Sequence, residues 1–398
     1  MKIILNSNEL LNSVAELGVI AVKESVITIT SFKKKFYKDG NDYVRYVVSM
    51  AAFDGRTQVA SNVFAESADF DGDRIGTSVG LEFISVVNAL ARGGSGIITI
   101  EINSSNVVVS SGASSVTLPK KTEGMAPIVF DLSDKTTIEA IYEVPRLALK
   151  SAVDKVVASV DSDSDDTCPG ICFIPDDKEL KICALNRIIM TQTSCAVMKF
   201  NLPVDENGAA KGEHKVFATL SKVLKAMLAS AEGETVKVYK TMSHVIVQSN
   251  MQVCQLPLLA THITKTFVDA LINISRPAGI TVGKSALLNA IGVTQASNSE
   301  DKKVCLSSDK GQVIVANTNK TASTTIAPKD MEGDIIEMCF NGRLLRTVLT
   351  SVKTDEVIIR FGEPKKAVAI MEKDGDSAIT ALAPIDPNAA ADKADKQN

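Results

Sequence analysis

The chain has 398 residues, 45% of which are hydrophobic, and a formal net charge of −4 at pH 7. This length predicts two to four domains with packed cores. No apolar run is long enough to cross a bilayer, and the N-terminus lacks the apolar core of a signal peptide, so membrane and secreted classes are excluded and a cytoplasmic location is predicted.

The predicted elements begin with a strand end that runs into an amphipathic helix, a pattern that we call the strand–helix repeat. Its spacing is apolar-x4-Leu-x3-apolar, and its three copies are at Leu5, Leu10 and Val14, at Val144, Leu149 and Val153, and at Val282, Leu287 and Ile291. Asn6, Pro145 and Gly283 stand where the helices begin. Such residues suit helix N-termini, where the first N–H groups lack partners inside the helix.

A second pattern, the helix–strand repeat, follows each copy of the first. Its spacing is apolar-x3-apolar-x7-apolar, and its three copies are at Val86, Leu90 and Ile98, at Leu224, Leu228 and Val236, and at Leu345, Leu349 and Val357. Two more apolar strands follow each copy, and the last of them closes near Pro119, Pro257 or Pro384. Two patterns that alternate three times in the same order indicate three similar domains.

The repeats predict an α+β protein of three tandem domains, each with two helices packed on antiparallel sheets. The predicted domains are residues 1–128, 129–270 and 271–385, followed by a disordered tail at residues 386–398. The predicted helices span residues 6–17, 80–92, 145–158, 219–231, 283–294 and 341–353. Residues 120–135 and 258–278 are predicted to connect the domains.

The predicted helices are more basic than the rest of the chain. They carry a net charge of +6, which in a chain of net −4 leaves −10 for the remaining residues. For any one side chain the simpler interpretation is the solvated face of an amphipathic helix. The asymmetry across the set favours a basic surface that attracts phosphate. The candidate phosphate contacts are Arg146, Lys150, Lys155, Lys222, Lys225, Lys284, Arg343, Arg346 and Lys353.

Motifs for catalysis, metal binding or a cofactor are missing from the sequence. The three histidines have no partner pattern for a triad or a zinc site, and the acidic loop at residues 161–166 lacks the glycine and late glutamate of a calcium loop. The seven cysteines, at 168, 172, 183, 195, 254, 305 and 339, predict reduced thiols packed in cores. We therefore predict no catalytic residue, no metal and no cofactor.

Residues 278–285 match a relaxed phosphate-binding loop that ends in Gly283-Lys284-Ser285. Such a loop has to present backbone N–H groups to phosphate. Here residues 280–282 occupy the strand position of the strand–helix repeat, which favours an ordinary helix start. A nucleotide-binding enzyme at this segment stays an alternative, which nucleotide binding that is abolished by Lys284→Ala would support.

The last predicted domain carries the most specific motif. Phe340-Asn341 precedes a leucine-rich helix and the stretch Asp-Glu-Val-Ile-Ile-Arg-Phe at residues 355–361, and an Arg187-Ile188 pair ends a strand in the second domain. With the three repeats, these motifs resemble the bacterial DNA sliding clamp, the beta subunit of DNA polymerase III, over nearly all of residues 1–385. The Asp-Gly-His that precedes the family's Arg-Leu pair is missing, which fits a divergent member, bacterial or phage-borne.

The resemblance implies a processivity factor that is not an enzyme. Two chains would join head to tail in a homodimeric ring whose helices face duplex DNA, and the implied partners are double-stranded DNA of any sequence, a replicative DNA polymerase and a clamp loader. Few aromatic residues (5%) and no Trp argue against base stacking on single strands. A ring that serves as a scaffold outside replication stays an alternative, which an intact ring without stimulation of a polymerase would support.

The resemblance also implies a groove for partner peptides near the end of the chain. The residues implied for it are Arg187, Ile188, Leu382, Ala383, Pro384 and Ile385. The simpler interpretation of residues 382–385 is the last strand of a sheet, as at Leu118-Pro119 and Leu256-Pro257 in the other predicted domains.

Overall fold

The computed structural model describes most of the chain. The described residues are 1–38, 41–70, 72–93, 96–124, 138–160, 170–176, 178–186, 188–201, 215–296, 302–374 and 378–386. Several predictions lie outside them, namely those for Cys168, for Arg187, for the acidic loop at 161–166 and for the tail after Asp386. No helix of the described part is long and apolar enough to span a membrane.

The helices of the described part are α1 (Ser7–Ile20), α2 (Glu82–Gly93), α3 (Arg146–Val157), α4 (Ser221–Ser230), α5 (Lys265–Ile272), α6 (Lys284–Ala296) and α7 (Gly342–Ser351). All but α5 were predicted from the repeats. Asn6 caps α1, because its Oδ1 accepts hydrogen bonds from the N–H groups of Asn8 (2.9 Å) and Glu9 (3.3 Å). The segment at 258–278, predicted to connect two domains, contains α5, and its role as a domain connection stays a prediction.

The first strands are β1 (Lys2–Asn6), β2 (Ile27–Lys38), β3 (Asn41–Phe53), β4 (Gln58–Asp69), β5 (Arg74–Val79), β6 (Ile97–Ile102), β7 (Asn106–Ser111), β8 (Ser114–Pro119) and β9 (Ile138–Pro145). The next are β10 (Ile171–Pro175), β11 (Glu179–Leu185), β12 (Ile189–Ala196), β13 (Lys199–Asn201), β14 (Phe217–Thr219), β15 (Thr235–Thr241), β16 (His244–Gln248) and β17 (Gln252–Pro257). The last are β18 (Ala278–Gly283), β19 (Lys303–Asp309), β20 (Gln312–Ala316), β21 (Ser323–Ile326), β22 (Asp330–Glu332), β23 (Met338–Asn341), β24 (Glu356–Phe361), β25 (Val368–Glu372) and β26 (Ile379–Leu382).

The chain forms two compact units. Unit 1 contains Met1–Lys150, Val197–Glu213 and Lys222–Leu258, and unit 2 contains Ser151–Ala196, His214–Ser221 and Leu259–Asn398. The division into three domains stays a prediction, because all five points at which the chain passes from one unit to the other fall inside the predicted second domain.

Unit 1 is built on a 13-stranded sheet with the main path β13-β9-β15-β16-β17-β4-β1-β6-β7-β8. Off this path, β3 pairs with β4 and β2, and β2 pairs with β5. The predicted first and second domains share this sheet, because β17 pairs with β4 and places Gln252 opposite Ser61.

Unit 2 has a nine-stranded sheet in the order β14-β10-β11-β12-β26-β25-β24-β18-β22, and a four-stranded sheet in the order β21-β20-β19-β23. In the larger sheet, Leu382 of β26 lies opposite Ile189 of β12 on one side and Val368 of β25 on the other. These three side chains belong to one hydrophobic core together with residues of α6 and α7.

The repeat positions form the cores of the structure. Every residue of the two repeats is buried except Val86, whose neighbour Val87 is buried in its place. The helix period allows either valine to contribute to an apolar stripe of this width, so the spacing alone does not distinguish them.

The cysteines differ in part from the prediction of reduced thiols. Cys305 and Cys339 are joined by a disulfide, because β19 and β23 pair in a register that puts them directly opposite each other. The two residues are 34 positions apart in sequence, so their pairing is visible only in the sheet. Among the described cysteines, those at 172, 183, 195 and 254 form no disulfide and are buried, as predicted.

One carboxyl group is buried in unit 1. Glu16 of α1 is 6% exposed, and its Oε1 accepts a hydrogen bond from the Gln252 side chain, which also donates to the Ser230 carbonyl at 3.2 Å. Its Oε2 is buried without a partner in the described structure. Burial raises the pKa of Glu16 to about 7, more than the nearby hydroxyls of Ser230 and Ser61 lower it.

The free energy of unfolding should therefore fall as pH rises from about 4.5 through about 7, and Glu16→Gln should remove this pH dependence. The pKa of Glu16 is higher in the folded state than its ordinary value of 4.5, so folding retains a proton between about 4.5 and about 7. At about pH 8 the variant should be more stable by roughly 3 kcal/mol, and near pH 5 the difference should be small. Urea unfolding at both pH values, with the exposed Glu9→Gln as control, tests this, and equal pH dependence in all three proteins would contradict it.

Candidate functional site

An apolar groove of about 440 Å³ lies on unit 2. The side chains that line it are mostly aliphatic: Leu185, Asn186, Ile188, Ile189, Met190, His262, Ile263, Phe267, Leu271, Ala367, Ala381 and Ala383. A cavity with this lining can take up a few apolar side chains from a ligand, and its few polar groups can orient them.

One wall of the groove is the turn between β11 and β12. The Asn186 Oδ1 accepts hydrogen bonds from the N–H groups of Ile188 (2.8 Å) and Ile189 (2.7 Å), which holds the start of β12 next to Asn186. The Ile188 carbonyl accepts a bond from the Ala383 N–H at 2.9 Å, so the turn is tied to the residue after β26. Ile188 keeps 36% of its surface exposed and faces solvent at the groove.

Another part of the lining comes from α5, the helix that the repeats did not predict. The Thr264 hydroxyl caps it by accepting from the Phe267 N–H at 3.1 Å, and the buried Val268 anchors it in the core of unit 2. This arrangement presents Phe267, which is 46% exposed, and Leu271 to the groove.

Arg276 fixes the C-terminal end of α5. Its guanidinium donates to the carbonyls of Leu271 (3.0 Å) and Ile272 (2.8 Å), and to that of Ala367 (3.0 Å) before β25. It therefore joins two parts of the groove lining. Three sequence features could have predicted this helix: the capping residue Thr264, the apolar pair Phe267 and Leu271, and a basic residue past the helix end.

The structure brings only part of the predicted peptide site to this groove. Ile188 and Ala383 line it. Leu382 does not, because it is 0% exposed and belongs to the core, so the assignment of Leu382 to a groove wall is corrected. Pro384 and Ile385 lie outside the lining, and the Ile385 N–H donates to the Cys339 carbonyl at 2.7 Å. Arg187 is not among the described residues.

Lys155 is not available for phosphate contact, and its prediction is wrong. It is 6% exposed, and its Nζ forms an ion pair of 2.9 Å with Glu372, which is equally buried. The reason is that this face of α3 is packed within unit 2 rather than solvated.

Two other predicted cations bind carbonyl groups in their own unit. The Lys284 Nζ donates to the Val352 carbonyl at 2.9 Å, just past the end of α7, and the Arg146 Nε donates to the Gly233 carbonyl at 2.7 Å. Lys284 also directly follows the last residue of β18, so the described strand–helix junction contains no loop that could surround a phosphate.

The remaining predicted cations are on helix surfaces or at helix ends. Arg343 and Arg346 are exposed on α7, beside Lys302 and the hydroxyls of Thr347 and Thr350, around a depression of about 720 Å³. Lys222, Lys225 and Lys353 are exposed and Lys150 is half-buried, and the Lys353 Nζ donates to the Ser151 hydroxyl at 3.0 Å. In the described residues no group of three His, Cys, Asp or Glu could hold a metal ion.

No protein-family model and no curated protein sequence matches the chain. Solved structures do match it along its length. The beta subunit of DNA polymerase III from Thermotoga maritima is 15% identical, with a TM-score of 0.74 over 97% of this chain and 99% of that one. The Helicobacter pylori beta clamp bound to a DNA ligase peptide is 16% identical, with a TM-score of 0.74 over 97% and 100%. The Pseudomonas aeruginosa sliding clamp bound to griselimycin is 14% identical, with a TM-score of 0.76 over 97% and 99%. The predicted α+β clamp fold is thereby confirmed.

Proposed function

We propose that the chain is a DNA polymerase processivity factor, a ring that encircles duplex DNA, slides along it and tethers a replicative polymerase. The observation that carries the proposal is the clamp fold over 97% of the chain, combined with an apolar groove that opens beside the end of β26. In this role the protein performs no chemistry and needs no cofactor, and a clamp loader would open the ring.

The ring would consist of two copies that pair through sheet edges. In the described structure β8 pairs only with β7, and β21 pairs only with β20, so each leaves one row of backbone groups without a strand partner. Free edges of this kind readily accept another strand. A head-to-tail contact between β8 of one copy and β21 of its partner would satisfy both edges, and twofold symmetry would close the ring.

The groove would bind a linear peptide from the polymerase or the loader. The Helicobacter clamp with a bound DNA ligase peptide supports peptide binding by this fold. Ile188 and Phe267 provide exposed apolar surface in the groove lining, which suits a segment with two or three apolar anchors.

The DNA contacts would come from the exposed cations on helices, chiefly Lys222, Lys225, Arg343 and Arg346, with Lys353 at the end of α7. Contacts to phosphate carry no sequence information and are individually weak. A closed ring would therefore slide, and its topology, rather than the strength of any contact, would prevent its loss.

Retention on circular DNA tests this function. The chains should have the mass of a dimer in solution, and dimers assembled in the presence of nicked circular duplex should stay on it and leave when it is linearised. Charge reversal at Lys222, Lys225 and Arg346 together should reduce retention, whereas reversal of the exposed Lys237 on β15 should not. A monomer at about micromolar concentration would contradict the ring, and a retained ring that stimulates no polymerase would favour the scaffold alternative.

A further inference from the structure

The outer part of the β2–β3 hairpin extends past its neighbours. The pairs between β3 and β4 end at Val47 opposite Phe64, and those between β2 and β5 end at Phe32 opposite Arg74. Beyond them, residues 33–38 and 41–46 form strand pairs only with each other within the described structure. We call these residues the basic ribbon.

The ribbon has an unusual composition for this chain. Residues 33–46 contain five basic and two acidic residues in a protein of net charge −4. They also contain three of the chain's five tyrosines, at positions 37, 43 and 46, and Phe36. The low aromatic content of the whole sequence therefore conceals a local concentration of aromatic and basic residues.

Ring contacts support the ribbon, which as an isolated pair of strands would be only marginally stable. Phe36 stacks on Tyr43 with 5.5 Å between ring centroids, and its ring meets Phe64 edge-on at 5.6 Å. The Arg45 guanidinium lies 4.0 Å from the Phe64 centroid, and the Lys34 Nζ lies 5.4 Å from that of Phe36. Cations and rings are thus already arranged side by side.

The register puts these groups in rows on both faces. Lys34 and Arg45 are paired on one face, next to the Phe36–Tyr43 pair, and the Tyr37–Asp42 pair is on the other. Tyr37 is 75% exposed and Tyr43 39% exposed. Within the described part of the chain, the exposed cations Lys33, Lys34, Lys35 and Arg45 form no ion pair with a carboxylate.

We propose that the basic ribbon binds single-stranded nucleic acid, with its cations on the phosphates and its exposed tyrosine rings against the bases. Positive charge along a strand together with exposed aromatic faces is what sequence-independent single-strand binding requires. Paired bases in a duplex do not present their faces to such rings. An acidic peptide would match the charge and leave the rings unused. The site is separate from the groove and from the helix cations.

Fluorescence anisotropy on the full-length protein tests the proposal with a labelled oligothymidine of about 20 nucleotides, a duplex of equal length and a polyglutamate peptide. We expect the single strand to bind more tightly than the other two probes. Tyr37→Ser should weaken single-strand binding by about tenfold, since one stacked base contributes roughly 1–3 kcal/mol.

Replacement of Lys33, Lys34 and Lys35 by Gln should flatten the salt dependence of single-strand binding by about 2 in log–log slope, because each phosphate contact contributes about 0.7. The matched control replaces three exposed lysines outside the ribbon by Gln, at Lys23, Lys237 and Lys310. Single-strand affinity unchanged by both ribbon variants would overturn the proposal. The proposal would also be overturned if polyglutamate bound more tightly than the single strand. The same holds if the duplex bound as tightly as the single strand and Tyr37→Ser did not weaken the binding of the duplex. Linear probes do not report on ring closure. A negative result for the ribbon therefore does not affect the test of the proposed function by retention on circular DNA.

Discussion

Ile188→Asp combined with Phe267→Asp should abolish peptide binding to the groove while the chain stays folded. The two side chains are 36% and 46% exposed and both line the groove, so both carboxylates would stand where apolar anchors are expected to bind. Loss of two central contacts of about 2 kcal/mol each would weaken affinity at least about a hundredfold. Titration with a labelled peptide that was selected on the wild-type protein measures the effect.

The matched control for this experiment is Met198→Asp combined with Met242→Asp. These methionines are 63% and 75% exposed and do not line the groove, so the control adds the same charge to apolar surface elsewhere. Leu382→Asp is unsuitable, because a carboxylate in the core would unfold unit 2 whether or not a peptide binds. Normal affinity in the groove variant would remove the site assignment and leave the fold unchanged.

Lys155→Ala should lower the free energy of unfolding by about 3–5 kcal/mol, because it leaves a buried carboxylate without its cation. Glu372 is 6% exposed, and after the substitution its donor among the described residues would be the Lys353 N–H, at 2.7 Å from Oε1. Denaturant unfolding of the full chain measures the loss.

Two further variants separate burial from charge. Lys155→Met with Glu372→Gln should recover much of the stability, because it removes both charges and keeps an acceptor for the Lys353 N–H. Lys366→Ala breaks an exposed pair with Glu363 and should cost less than about 1 kcal/mol. If Lys155→Ala is as mild as Lys366→Ala, Lys155 is solvated and returns to the candidates for DNA contact.

The cores could be predicted from sequence because hydrophobic spacing follows directly from helix and strand geometry. Leu345, Leu349 and Val357 show this, since one spacing identified a helix face and the strand packed beside it. The α5 helix has eight residues and no counterpart in the repeats, and its position depends on Val268 burial and on the hydrogen bonds of Arg276. Because α5 occurs once, the repeated spacing in the sequence does not indicate it.

The site was less predictable than the fold because it depends on contacts between distant residues. Lys155 and Glu372 are 217 positions apart, so nothing near Lys155 in sequence distinguishes it from a solvated lysine. Leu382 ends β26 and Ala383 follows it, and only the pairing of β26 with both β12 and β25 determines that Leu382 lies in the core and Ala383 lines the groove. Of the residues that the resemblance implied, Ile188 and Ala383 line the groove, but the resemblance did not indicate which side chains are accessible there.

The position of β26 has a consequence for protein synthesis. It is the last of its nine strands to be translated, yet it lies fifth in the strand order, with four strands on either side. Until residues 379–382 leave the ribosome, β12 and β25 are open edges, and Ile189 and Val368 lack Leu382 between them. Open edges pair readily with other chains. Nascent chains should therefore need chaperone protection late in translation, until β26 has paired with both neighbours.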